Sequence, residues 1–237
     1  MRKIAMTDIH GCRRSFEALL DQLALTTSDE LYFLGDYIDR GPDSKGVVDI
    51  ILDLKDKGHK VRCLMGNHED ALLIAAKDRS FFYQWYDGWG GRQTLESFGV
   101  HFAASVPVKY MDFFKTLEYT IEVDGYILVH AGLDFRSRNP LAPDVNMLYL
   151  RDWYDTIDFG WLGDRIVVHG HTPISKAEIE GMGRNLKYRR VIDIDCGCFA
   201  QHLPGKGYLC AFDLTNRALY FQQNLDDVSG YWRSRMG

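Results

Sequence analysis

No stretch of this chain approaches the roughly 18 consecutive apolar residues that a membrane-crossing helix needs, and its opening MRKIAMTDIHG has charge but no apolar leader. Those absences set the expectation of a soluble, cytoplasmic protein with no membrane partner. Cysteine is scarce. The five residues Cys12, Cys63, Cys196, Cys198 and Cys210 make an odd count, which reads as reduced thiols rather than a disulfide frame. Cys196 and Cys198 form a lone C-x-C, poor ground for a structural zinc site without a second pair. An excess of positive charge is also missing. The net charge of −5 argues against a binder of nucleic-acid backbone, and it fits a site rich in carboxylates that needs cations. Internal repeats and low-complexity linkers are absent. What is present is 46% hydrophobic and 13% aromatic residues in 237, enough for a sizeable core. The chain reads as one domain over 1–224, a loosely held tail over 225–237, and a monomer by default.

The first third alternates. KIAMTD, DELYFLGD and KVRCLMGN read as strands. Between and after them RRSFEALLDQLAL, PDSKGVVDIILDLKDKG and HEDALLIAAKD have the spacing and punctuation of helices. This β-α-β-α-β-α order implies a parallel sheet with helices on its faces. Residues 79–117 break the pattern with an aromatic-rich stretch, expected to be helical in short pieces and to lie over one end of the sheet. Beyond it, LEYTIEVDGYILVHAG reads as a hairpin, and DRIVVHGHTP, RRVIDIDCG and GYLCAFDLTNRALYFQQ add further strands. FRSRNPLAPD is the most loop-like segment.

Chemistry-bearing residues stand where each expected strand runs out. The first ends in TDIHGC with Asp8 and His10, and alternate residues on a strand share a face, so the two would meet. The second ends in GDYIDRG with Asp36, Asp39 and Arg40. The third ends in GNHED with Asn67 and His68. HAG carries His130, and HGHTP carries His169 and His171. In open α/β sheets ligands bind outside these carboxyl ends. One such pair is most often a pair of turn residues; five strand ends so equipped are not. Carboxylate, amide and imidazole donors without a thiolate suit divalent ions such as Mn²⁺, Fe²⁺ or Zn²⁺. Six ligands would serve two ions roughly 3.5–4 Å apart with a bridging carboxylate, a pair that acidifies a water and clamps phosphoryl oxygens. The reaction class that needs this is phosphoester hydrolysis by in-line attack of a metal-held hydroxide.

DIHG, GDYIDRG, GNHE, HAG and GHTP, in this order over residues 8–173, resemble the calcineurin-like metallophosphoesterase superfamily. Within it they are more similar to the bacterial and phage form of the Ser/Thr protein phosphatase (PPP) family. The resemblance implies an α/β fold, a four-layer αββα sandwich, here with a small helical aromatic-rich insertion. It implies that Asp8 and His10 hold one metal, that Asp36 bridges, and that Asn67, His130 and His171 hold the second. The ions would be Mn²⁺ first, with Fe²⁺/Fe³⁺ or Zn²⁺ as other fits. His68 would protonate the leaving oxygen, and Asp39 would orient it and raise its pKa. Arg40 would grip the phosphate, with Asn67 and a second arginine, for which Arg151 in LYLRDW is the match and Arg136 and Arg138 the competitors. His169 reads as a residue behind the ligands. His59, His101 and His202 fall outside the motifs.

GWGGRQTL in the insertion resembles a segment that leans over the metals in bacterial phosphatases of this branch. Gly90 and Gly91 would then allow a substrate to approach, and Arg92 would add a phosphate contact. The GNHE and GDYIDRG forms favour a protein phosphatase acting on phosphoserine or phosphothreonine, with phosphotyrosine as a further substrate and a phosphorylated protein or peptide as its partner. The alternative is a diadenosine tetraphosphatase-like nucleotide hydrolase, since those enzymes share DIHGC and RGPDS but usually carry NHD. A remote alternative is a metal-binding regulatory protein without catalysis.

Overall fold

The short apolar runs that open the chain divide their side chains between two cores. The computed structural model describes residues 1–233. In chain order the first elements are β1 (Lys3–Met6), α1 (Arg13–Leu23), β2 (Glu30–Phe33), α2 (Ser44–Asp56), β3 (Lys60–Cys63) and α3 (Asn67–Ala75). The insertion follows as α4 (Arg79–Gly88), α5 (Gly91–Phe98) and α6 (Val108–Lys115). Then come β4 (Thr120–Val123), β5 (Tyr126–Val129), α7 (Asn146–Tyr149), α8 (Phe159–Leu162) and β6 (Ile166–His169). The chain closes with α9 (Lys176–Arg184), α10 (Leu186–Arg189), β7 (Val191–Asp193), β8 (Tyr208–Asp213), β9 (Ala218–Gln223) and α11 (Ser229–Arg233).

β1, β2 and β3 pair in parallel, as the alternating order requires, and β8 and β9 extend that sheet antiparallel in the order β3-β2-β1-β8-β9. The second sheet runs β4-β5-β6-β7. Ile4 and Met6 of β1 face an outer core under α1 and α2, while Ala5 faces the space between the sheets with Tyr32, Leu128 and Phe212. On the far side Ile179 and Met182 of α9 and Leu186 of α10 cover the second sheet. The result is the four-layer αββα sandwich. In α1, Phe16, Leu19 and Leu23 are buried at helical spacing. Asp43 caps α2 by accepting from Gly46 N at 2.8 Å.

One expectation needs correction. The tail is not loose over its described part. The α1 N-terminus has no side-chain cap of its own, and Asp226 supplies one by accepting from Arg14 N at 3.0 Å and Ser15 N at 2.9 Å. Val228 and Tyr231 are buried, and Trp232 Nε1 donates to Phe199 O at 3.0 Å. The remainder of the tail, 234–237, lies outside the described residues. Residues 176–189, passed over between two expected strands, form α9 and α10. Ser175 and Glu178 make a reciprocal capping box at the start of α9. The insertion is helical as expected; it packs along α2 and α3 and reaches the carboxyl end of the first sheet, where Trp85 and Thr94 bond Asp39. Among the described residues no helix is long and apolar enough to cross a membrane.

Candidate metal centre

Every candidate metal ligand lies just past the carboxyl end of a strand, but strand alternation is not what makes them converge. β1 stops at Met6, and Asp8 and His10 sit in the following loop with φ of 51° and 48°. Asp36, Asp39, Arg40 and His171 also have positive φ, so six of the eleven such non-glycine residues described belong to this one site. Strain of this kind persists only where surrounding bonds over-determine it. Here the loops after β1 and β2 are laced together: Asp8 N donates to Gly35 O, His10 N to Asp36 O and Gly11 N to Tyr37 O, at 3.2, 2.9 and 2.8 Å.

Glu69 is the anchor. Fully buried, it accepts from Asp36 N at 2.9 Å, Tyr37 N at 2.8 Å and Gly66 N at 3.1 Å. Burial, and then the charge of Asp36, push its carboxyl up to about 8 despite these bonds. The sequence reading treated Glu69 only as a substrate marker and missed this role.

The donors gather around Asp36. His10 Nε2 lies 3.4 Å from Asp36 Oδ2 and 3.6 Å from Asp8 Oδ1. His130 Nε2 lies 3.5 Å from Asp36 Oδ1 and 3.0 Å from Asn67 Oδ1, and His171 Nδ1 lies 2.8 Å from that same Asn67 oxygen. Backbone carbonyls fix two of the tautomers. His10 Nδ1 donates to Ile38 O and His130 Nδ1 to Leu34 O, so both Nε2 lone pairs face the centre. Two groups of mutually close donors result: His10, Asp36 and His68, and Asp36, His130 and His171, sharing Asp36. The sequence paired Asp8 rather than His68 with the first group.

The donor set fits divalent ions. Burial and then Arg40 lower His10 to about 4, and burial and then His130 lower His171 to about 2, so both rings are in the neutral form that ligation needs. Burial and the neighbouring Asp8 raise Asp36 well above the usual carboxylate range, a repulsion that a cation between them relieves. Asp8 Oδ1 and His171 Nε2 are buried without a hydrogen-bond partner. Unpaired buried acceptors of both kinds in one place are what an ion satisfies.

His68 Nδ1 is 2.7 Å from Asp39 Oδ2. Asp39 is held in turn by Trp85 Nε1 at 2.8 Å and Thr94 Oγ1 at 2.5 Å, both from the insertion. The Asp39 contact expected to raise His68 is present, but other influences on the ring outweigh it. Burial, and then Arg40, push His68 well below its ordinary value, while burial pushes Asp39 up to about 8. The pair forms as expected but carries less charge.

Arg40 reaches His10 Nε2 at 2.6 Å and His68 Nε2 at 2.8 Å, and its guanidinium lies 4.1 Å from the Phe199 ring centroid. Phe199 also meets His10 edge-on and stacks on Trp232. Neither aromatic was legible as a site residue. Arg151 flanks the centre and donates from Nη1 to Thr172 Oγ1, next to His171. The Arg136 and Arg138 side chains make no contact with the centre, and Arg138 lines a separate cavity with Pro140 and Pro143. Arg92 points elsewhere, to Asp87 at 3.1 Å and the Tyr86 ring. Gly90 and Gly91 do permit close approach, but to the protein itself. A Cβ on Gly90, at φ +96°, would stand 2.5 Å from Arg40 N, and one on Gly91 would meet the Trp85 ring. The insertion therefore shapes the site through Asp39, the Arg40 backbone and Trp89, whose ring lies 5.4 Å from that of His68. His169 turns away to Tyr154, and His202 packs on Trp232.

The family model for the calcineurin-like phosphoesterases matches residues 1–200. A symmetrical bis(5'-nucleosyl)-tetraphosphatase of Nitrosomonas europaea is 30% identical over 169 residues, covering 69% of this chain and 58% of that protein. The chain thus spans little more than half the length of that relative. An asymmetrical bis(5'-nucleosyl)-tetraphosphatase of Geobacillus thermodenitrificans is 27% identical over 227 residues, covering 81% of this chain and 83% of that one. A protein serine/threonine phosphatase of Saccharomyces cerevisiae superposes with a TM-score of 0.64 at 13% identity, over 94% of this chain and 79% of that one, a likeness of fold.

Proposed function

The chain belongs to the calcineurin-like phosphoesterase family, and from that premise we propose that it is a phosphoester hydrolase whose substrate is a bis(5'-nucleosyl) tetraphosphate. The observation that carries this is the relatives: both curated matches act on such dinucleotides, one of them aligned over 83% of its own length. The GNHE and GDYIDRG forms favour a protein phosphatase, and the glutamate of GNHE, Glu69, stands where the tetraphosphatases usually carry aspartate. In the structure Glu69 is fully buried and occupied by backbone N–H groups, so it never touches a substrate and does not distinguish the two classes. The relative aligned over most of its length is the asymmetrical one, which favours unequal products, ATP and AMP from the adenosyl substrate.

Asp8, His10 and Asp36 would hold one ion, and Asp36, Asn67, His130 and His171 the other, Mn²⁺ being the first candidate. When bound, such ions would withdraw charge from phosphoryl oxygens and make water a stronger acid. Arg40 leaves its histidine partners to grip the phosphate, with Arg151 and Asn67 opposite. Asp39 keeps the His68 Nδ1 proton in place, so Nε2 faces the centre and, once it has taken up a proton from solvent, can pass that proton to the leaving oxygen. The phosphate's negative charge arriving beside His68 opposes the burial and the Arg40 charge that hold the ring neutral.

Phe199 positions Arg40. A cation–π contact is worth about 0.5–2 kcal/mol, so Phe199→Leu is expected to raise KM for phosphoester substrates about 2- to 30-fold with kcat little changed. Phe199→Tyr, which keeps the ring, is expected to restore it. An unchanged KM in the leucine variant, or equal loss in both variants, contradicts the role.

The substrate assignment is tested by turnover of bis(adenosyl) tetraphosphate, a phosphoserine peptide and a phosphotyrosine peptide, side by side with Mn²⁺. The expected result is the highest kcat/KM on the dinucleotide. Preference for either peptide returns the protein-phosphatase reading and leaves the metal centre standing.

A further inference from the structure

Beside the metal centre, past Arg151, opens a cavity of about 180 Å³. That is below the roughly 300–1,000 Å³ of a pocket that holds a drug-sized ligand, so it suits one ring system. Trp153 and Tyr154 supply aromatic surface, Ile174 an apolar edge, and His169 and Asp193 a polar lining. Trp153 is locked by donating from Nε1 to Ala131 O at 3.0 Å, and Tyr154 by its hydroxyl bond to His169 Nε2 at 2.7 Å. His169 Nδ1 faces Gly170 O at 3.0 Å, so both ring nitrogens are used.

Asp193 is different. It is 2% exposed, and its Oδ1 accepts from Asp195 N at 2.8 Å. Its Oδ2 has no hydrogen bond among the described residues, and the His169 ring, which burial keeps neutral, stands 4.0 Å away at Nδ1. This oxygen lines the cavity wall without a protein partner, so a donor that enters can pair with it. We infer that this cavity is a nucleobase subsite, selective for a purine bearing an exocyclic amine, that seats one base of the nucleotide whose phosphate lies at the metal centre. The two fused rings match the aromatic wall, and the amine N–H pairs with Asp193 Oδ2. A uracil offers one ring and no amine. Arg151 stands between cavity and centre, where the phosphates attached to that base must pass. The inference deepens the nucleotide reading above and rests on it for the biological ligand.

The test separates the two. The metal-loaded full chain turns over p-nitrophenyl phosphate while ADP or UDP is added as inhibitor. Both share the diphosphate and differ in the base. ADP is expected to inhibit about ten-fold more tightly than UDP, the scale of one or two good polar and stacking contacts. Ile174→Trp, which fills the cavity, is expected to bring the ratio of the two inhibition constants toward one. Tyr154→Ala, at a 36% exposed position that the fold tolerates, serves if the tryptophan variant is unstable, and is expected to lower the ratio as well. A wild-type ratio near one, or a ratio that survives both substitutions, overturns the subsite. Hydrolysis of the tetraphosphate does not enter this readout, so failure of the substrate assignment and failure of the subsite are seen independently.

Discussion

Asp36→Asn is expected to abolish binding of both ions and to lower turnover by more than the roughly 10–100-fold that loss of a residue supporting a metal ligand costs. Asp36 is the residue shared by the two donor groups, with Oδ2 toward His10 and Oδ1 toward His130. The amide keeps the shape and the acceptor that Asp36 Oδ1 offers to His68 N at 3.1 Å, so the loop should survive. What it loses is the negative charge that two cations share. Metal titration of the purified variant, with circular dichroism to confirm the fold, checks this. Two ions bound at wild-type affinity would remove Asp36 from the bridging position.

The second large effect is expected from His68→Asn, whose size should depend on the leaving group. A positioned general acid contributes roughly 10²- to 10⁴-fold. That loss is expected in full on an alkyl phosphate, whose alkoxide must be protonated as it departs. It should shrink on p-nitrophenyl phosphate, whose phenolate leaves readily. Asp39, Trp85 and Thr94 hold the imidazole with Nε2 toward the centre, which is the geometry the role requires. Equal losses on both substrates would show that His68 serves binding or structure instead of proton transfer.

The metal centre was legible in the sequence because it is built from short motifs at strand ends. Asp8, His10, Asp36, Asn67, His68 and His130 each follow an apolar run with a Gly nearby, and topology alone carries such ends to one rim. The layers were legible too, through the alternation of strand and helix periods. The physical reason for convergence was not, because it lies in left-handed loop residues that no period reveals. Buttressing residues were equally hidden. Asp226 caps a helix more than 200 positions away in the chain, and Phe199, itself stacked on Trp232, meets Arg40 from far along the chain. Nothing local to those residues marks their partners. Arg92 failed for the opposite reason. Its motif suggested the site, but the helix it sits on turns it toward Asp87. The charge state of His68 and Asp39 also escaped, since burial outweighs the pairing that sequence order suggests.

The centre itself is tested most directly by counting ions. Purified wild-type chain is stripped with EDTA, dialysed against Mn²⁺, and its metal content measured alongside its turnover. The expected result is two ions per chain, with activity lost on chelation and restored as the ions return. Full turnover with one ion per chain, or chelator-resistant turnover with no ion retained, would contradict a two-ion centre built on Asp36.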